Sequence, residues 1–232
     1  CVPLLHKGAT LGVIYVDNRL QVGIFTEKDL DLLNAIAASA AIAIENARLY
    51  QVAVEKGRLE RELQVARSVQ TSLLPRATPQ IDGWEFAAWW EPARQVAGDF
   101  YDFIPTGGGQ LGLVIADVSD KGMPAALFMA LSRSTVRASV TATTTPLDGI
   151  TQANRLICVD ATDGMFVTLF YAQLDPSTGD LQYVNAGHNP PWLYDSKTDE
   201  LSLLTRSGMP LGVDDAGSFG QRGTRLASGD LV

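Results

Sequence analysis

Cysteine is nearly absent from this chain of 232 residues: Cys1 and Cys158 are the only two. They have no spacing that would hold zinc or run a dithiol couple. Cys158, inside Leu156-Ile157-Cys158-Val159, reads as a small buried hydrophobe. Positive charge is also scarce. Eighteen Lys and Arg face 26 Asp and Glu, for a net charge of -8. That balance argues against nucleic acid as the main partner, because phosphate contacts need a basic face. Long apolar runs are missing too: the longest candidate, Ala35 to Ile44, is short and alanine-rich, and no secretory leader is read. Together these absences imply a reducing cytoplasm and no membrane segment.

What the chain does have is an uneven distribution of acid. Residues 1–75 hold eight basic and eight acidic side chains, so the excess sits in residues 76–232, with ten basic against eighteen acidic. Two stretches there deliver an aspartate beside a turn. Val96-Ala97-Gly98-Asp99-Phe100-Tyr101-Asp102 is answered by Ile115-Ala116-Asp117-Val118-Ser119-Asp120-Lys121-Gly122, eighteen residues on. A carboxylate at a buried strand end costs several kcal/mol to desolvate unless a cation compensates. Two that face each other repel, and one stays protonated unless a divalent ion sits between them. The spacing therefore fits a hard-metal site built from oxygen ligands. It fits equally two turn residues, since Asp favours turns by itself.

In chain order, Leu11 to Val16 reads as a strand and Phe25-Thr26-Glu27-Lys28-Asp29 as a helix start, with Thr26 as N-cap and Asp29 completing a capping box. Apolar residues then recur at three and four residues, and helix is expected from there to Pro75, with Gly57 as its weak point. Leu49, Val52, Lys56, Leu59, Leu63, Ala66, Gln70 and Leu73 follow a 3.5-residue period. This predicts either a dimeric coiled coil with two polar seam positions or one long helix lying on its own domain. Trp84 to Trp90 reads as a strand whose tryptophans pack in a core. Thr106 to Gly109 reads as a hairpin turn. Helices are expected from Ala125 to about Val140 and from Leu147 to Val159. Strands are expected at Phe166–Leu174, Leu181–Ala186, Trp192–Tyr194 and Leu201–Leu203, and the tail from Leu204 reads as turns. Both ends read as those of a fragment, with Gly229 to Val232 entering a strand.

Two resemblances emerge. Leu11 to Asn18, Phe25 to Leu30 and Ala41 to Ala47 resemble the C-terminal part of a GAF domain, a small-molecule sensor or dimerisation module. Residues 61–232 resemble the SpoIIE-type branch of the PPM serine/threonine phosphatases, bacterial relatives of protein phosphatase 2C. Six motifs in one order carry this: Arg61 to Pro75, Val96 to Asp102, Ala116 to Leu127, Phe166-Val167-Thr168-Leu169, Asn185-Ala186-Gly187-His188-Asn189-Pro190-Pro191, and Pro210-Leu211-Gly212. The expected organisation is a GAF part at 1–48, a helical coiled-coil linker at 49–75 and a C-terminally incomplete phosphatase domain at 76–232.

The resemblance implies an α+β fold, an αββα sandwich of two antiparallel sheets flanked by helices, and a two-ion Mn2+ or Mg2+ site. Asp99 matches the first metal aspartate, Asp117 the aspartate bridging both ions, and the Val118 carbonyl a neighbouring ligand. The family's further metal aspartates lie beyond Val232, so the segment itself is expected to lack activity. Ala97 and Asp120 stand where glycine is common in the family. Asp102 is expected to be a solvated turn residue rather than an outer group of the site, and His188 to shape its loop through local hydrogen bonds rather than act as a general acid. The Gly122–Leu127 turn resembles the family's switch element. The implied function is hydrolysis of phosphoserine or phosphothreonine on a partner protein, a STAS-type anti-sigma-factor antagonist, by a chain dimerised through residues 49–73 and regulated by the GAF part. The rival is a non-catalytic, phosphoprotein-binding scaffold.

Overall fold

The computed structural model describes residues 1–21, 23–162 and 164–232. It divides into two compact units, Cys1–Glu62 and Leu63–Val232. In the first, β1 (Val2–His6) and β2 (Ala9–Ile14) form an antiparallel hairpin. Its turn residues Lys7 and Gly8 both take positive φ, the twist a two-residue hairpin favours. The sequence hides β1, whose Pro3 and His6 break the strand pattern.

Helix α1 (Glu27–Leu73) starts where the capping box predicts. Asp29 Oδ2 accepts from the Thr26 N–H at 2.8 Å and from Thr26 Oγ1 at 2.7 Å. Leu33, Ala37 and Ala41 turn one face onto Val2 and Leu4. Contrary to expectation, α1 contains an 18-residue window with a mean hydropathy of 1.3, long and apolar enough by length and composition to cross a membrane. Alanine and isoleucine supply it without an unbroken run of large apolar residues.

The second unit is built on β3 (Phe100–Pro105), β4 (Leu111–Val118), β5 (Val167–Leu174) and β6 (Asp180–Ala186), followed by the hairpin β7 (Trp192–Asp195) and β8 (Glu200–Leu203), then β9 (Arg222–Arg225). The main sheet runs β3-β4-β5-β6-β9, antiparallel throughout. Between β4 and β5 lie α2 (Met123–Ala142) and α3 (Pro146–Asp160). Strand alternation sorts the sheet's side chains into two layers. Val114, Ala116, Val118, Val167, Leu169, Tyr171, Val184 and Ala186 meet Phe128, Met129, Val136, Ile150 and Ile157 of the helices. Phe170, Ala172, Leu181 and Tyr183 face the other way, towards Leu193 and Leu204. The mixed α/β reading with antiparallel sheets holds, with one helix pair on one face of the main sheet among the described residues.

Trp84 to Trp90 is not a strand; a single bridge between Ile81 and Trp84 is its only ladder contact. Residues 107–109 form a 3-10 turn with Gly108 at φ 72°. The tail is not all turns, because β9 closes the sheet edge through Arg-Gly-Thr-Arg, a sequence with no apolar alternation to announce it. At Leu231 the chain pairs with Tyr194 through both backbone groups, at 2.9 and 3.1 Å.

Candidate functional site

The β3–β4 register places Phe100 opposite Ala116, so the next pair outward is Asp99 and Asp117. Both belong to the alternation set of Leu113, on the face away from α2 and α3. They open into a cavity of about 730 Å³ lined by Phe86, Trp90, Phe170 and His188 among others. Each carboxylate keeps more than a third of its surface exposed, so the expected burial at a strand end is only partial. The cavity wall still desolvates Asp99. That burial, a hydrogen bond donated by the protonated Asp99 carboxyl to the Asp117 carboxylate, and the charge of Asp117 push the Asp99 pKa up to about 6, against a smaller pull from His188.

Gly98 makes the close approach possible. A Cβ there would lie 3.0 Å from both the Val118 Cβ and the Val118 carbonyl oxygen. The structure thus brings Asp99, Asp117 and the Val118 main chain to one sheet end, with the Val118 side chain buried on the helix face. Trp90 steadies the outer strand, its Nε1 donating to the Asp99 carbonyl at 3.0 Å.

On the inner side, Asp117 faces Thr168 on β5. Thr168 Oγ1 lies 3.4 Å from the Asp117 carbonyl and 2.9 Å from His188 Nδ1. The His188 bond therefore reaches a neighbouring strand rather than its own loop, which corrects the local-bond reading. Burial lowers the His188 pKa, opposed by the charge of Asp99. Trp90 and Thr168 were not singled out as site residues in the sequence, because neither spacing nor charge links them to the aspartates before the sheet is assembled.

Asp102 overturns its sequence reading more fully. It is 2% exposed, the most deeply buried of the carboxylates in this region. Three residues after Asp99 on one strand, it points to the opposite face, towards α2. There Arg133 Nη2 lies 2.8 Å and Arg137 Nη1 2.9 Å from Asp102 Oδ2. It fastens β3 to α2, and its carboxylate is spent on these two arginines rather than on the Asp99–Asp117 pair.

Among the described residues no group of three or more His, Cys, Asp or Glu side chains comes together to hold a metal. The donors at Asp99, Asp117 and Val118 are all oxygen, the set that Mn2+ and Mg2+ prefer. Burial and the facing Asp117 raise Asp99, and a cation bound by both carboxyls would offset both costs. The pair fits one hard cation, whereas two ions need more carboxylates than these residues gather.

The sheet arrangement is that of PP2C-type phosphatase domains. The SiaA-PP2C domain of Pseudomonas aeruginosa superposes with a TM-score of 0.64 at 20% identity, covering 77% of this chain and 71% of that one. The RsbU and RsbW domains of Rv1364c from Mycobacterium tuberculosis give a TM-score of 0.52 at 28% identity over 60% and 38%. The family model for Stage II sporulation protein E (SpoIIE) matches residues 107–232, and the chain belongs to that family. A GAF domain model matches residues 1–44. Protein IcfG of Synechocystis is 35% identical over 77% of this chain and 32% of its own length. Phosphoserine phosphatase RsbU of Bacillus subtilis is 29% identical over 75% and 52%. The chain thus spans about a third to a half of these relatives.

Proposed function

We propose that this chain is part of a cytoplasmic, metal-dependent protein phosphatase that hydrolyses phosphoserine or phosphothreonine on a partner protein, of the STAS-type anti-sigma-factor antagonist class. The facing pair Asp99 and Asp117 at the open end of the sheet carries this reading, and relatives named phosphoserine phosphatases support it. Asp99, Asp117 and the Val118 carbonyl would hold Mn2+ or Mg2+. Bound there, a divalent ion supplies a Lewis acid that lowers the pKa of a water and offsets charge on the phosphoryl oxygens. The protein's own part is to present both carboxyls on one face and hold their backbones through Trp90 and Thr168. No side-chain nucleophile is required. Cys158, the more buried of the two free thiols, sits on α3 on the opposite face of the sheet.

The GAF match and the exposed stretch of α1 support regulation by a sensor and dimerisation through residues 49–73. The test is hydrolysis of p-nitrophenyl phosphate by the full-length protein, with and without Mn2+, beside its Asp117→Asn variant. Turnover that needs Mn2+ and drops at least about 100-fold in the variant is expected, since a metal ligand has been lost. No turnover on this ester or on a phosphorylated antagonist, with folding intact, replaces the enzyme by a phosphoprotein-binding scaffold.

A further inference from the structure

His188 is held on every side except at one ring nitrogen. Gly187 before it takes φ 72° and packs so closely on Pro210 that a Cβ there would lie 2.7 Å from the proline ring. Gly187 also bridges to Leu169 of β5, and the His188 carbonyl accepts from Arg206 Nε at 3.1 Å. The ring's Nδ1 lies 2.9 Å from Thr168 Oγ1. His188 lines the cavity and Thr168 does not, so the Nε2 edge is the one left to face the opening. His188 and Asp99 each act on the other's ionisation, which puts ring and carboxyl in the same part of the cavity. The rest of the wall is acidic or apolar. Among the described residues no Lys or Arg lines the cavity, while Glu85 and Glu91 join the two aspartates there. A phosphoryl group brings charged oxygens, and those not on a cation need hydrogen-bond donors. Trp90 Nε1 already donates to the Asp99 carbonyl, and the Tyr101 hydroxyl to the Pro75 carbonyl. Trp89 and Asn189 are exposed. The half-buried His188 is the donor that remains beside Asp99.

We propose that His188 is a phosphoryl-binding residue, its Nε2–H donating to a substrate oxygen that the cation at the aspartates does not neutralise. This rests on the phosphatase reading above. The ring needs no charge for the task. The Thr168 hydroxyl rotates to donate to Nδ1, which leaves the ring proton on Nε2. The hydroxyl's other acceptor, the Asp117 carbonyl, is 3.4 Å away and is the weaker contact to give up. A histidine that only shaped its loop would be replaced without loss by any side chain that keeps the Thr168 bond.

Asparagine sets its amide near the Nδ1 position of a histidine and glutamine near Nε2, so the two variants separate the edges of the ring. In the Mn2+-loaded full-length protein, His188→Asn keeps a partner for Thr168. It is expected to weaken binding of inorganic phosphate about tenfold or more in a calorimetric titration. Its kcat/KM for p-nitrophenyl phosphate should fall at least as far, while Mn2+ affinity stays within about twofold. His188→Gln loses the Thr168 bond but restores a donor towards the cavity, so it should bind phosphate more tightly than the Asn variant. Phosphate binding within about twofold of the parent in folded His188→Asn overturns the proposal. So does an equal fall in Mn2+ and phosphate affinity, which assigns the ring to the cation. In the unsubstituted protein, phosphate should slow carbethoxylation of His188 by diethyl pyrocarbonate, with His6 of β1 as internal reference. An unchanged rate overturns the proposal whether or not the variants fold. An unsubstituted protein that hydrolyses no phosphoester ends the phosphatase reading and this inference together. Parental turnover in His188→Asn ends this inference alone.

Discussion

Asp99 and Asp117 repel each other when both are ionised, and the consequence is a titration. With the Asp99 pKa raised to about 6 from an ordinary 3.8, the folded metal-free protein holds a proton that the unfolded chain releases. The associated stability is fully present below about pH 4 and is lost as pH rises through about 6. The urea midpoint of the metal-free protein should therefore fall between pH 4 and pH 7, and the fall should shrink in Asp117→Asn. Mn2+ affinity should rise over the same window, as the pair gives up its proton. An equal pH dependence in the parent and the variant would remove the coupling between the two carboxyls. A second residue-scale prediction concerns Gly98. Its φ is ordinary, so the demand for glycine is steric: a methyl group 3.0 Å from Val118 fits only if the neighbour gives way by a few tenths of an ångström. Gly98→Ala should cost about 1–3 kcal/mol by urea unfolding, as overpacking does. It should also weaken Mn2+ binding, because the strand carrying Asp99 must move away from the Val118 carbonyl.

At the scale of elements, the joint between β3 and α2 rests on a charge cluster. Asp102 is almost fully enclosed and Arg133 is 13% exposed, so neither can turn to water when its partner is lost. Asp102→Ala should destabilise the domain by about 3–5 kcal/mol in urea unfolding, the range for orphaning a buried charge. Replacing Asp102 and Arg133 together by apolar residues of similar volume should restore much of that loss. The same cluster shows what could be read in advance. Period and caps located α1, α2, α3 and the strands from β4 to β8 to within a few residues, because apolar periodicity marks them, even in β8, whose residues all stay exposed. Asp99 and Asp117 were legible because strand ends beside turns put carboxylates where a sheet opens. Asp102 was not legible, since its partners Arg133 and Arg137 lie more than 30 residues away on a helix. Trp84 to Trp90 misled for a related reason: aromatic alternation announces a strand, but a strand also needs a neighbour to pair with.

For the whole molecule, the question is which part of α1 is left to meet a second copy. The heptad pattern runs evenly from Leu49 to Leu73, but burial divides it. Gln70 is enclosed, and Leu74 just beyond it joins the phosphatase core. Those positions are committed to their own domain, as the single-helix reading expects. Leu49, Val52 and Leu59 remain 57%, 60% and 48% exposed. Between them Lys56, paired with Glu60 at 3.8 Å, is the polar seam position. Exposed apolar side chains at a 3.5-residue period are what a paired helix buries, and one polar residue among them can set register at a cost in stability. If the proposed dimer forms through α1, its contact falls to residues 49–59 rather than the full 49–73. Val52→Glu combined with Leu59→Glu places like charges on the seam of both copies. It should raise the dimer dissociation constant at least about 100-fold, roughly 3 kcal/mol, in sedimentation equilibrium of the full-length protein. Leu73→Glu should leave association unchanged while lowering the unfolding midpoint. A parent that is already monomeric at micromolar concentration, or a double variant that dimerises as before, would assign the apolar stripe to some other contact.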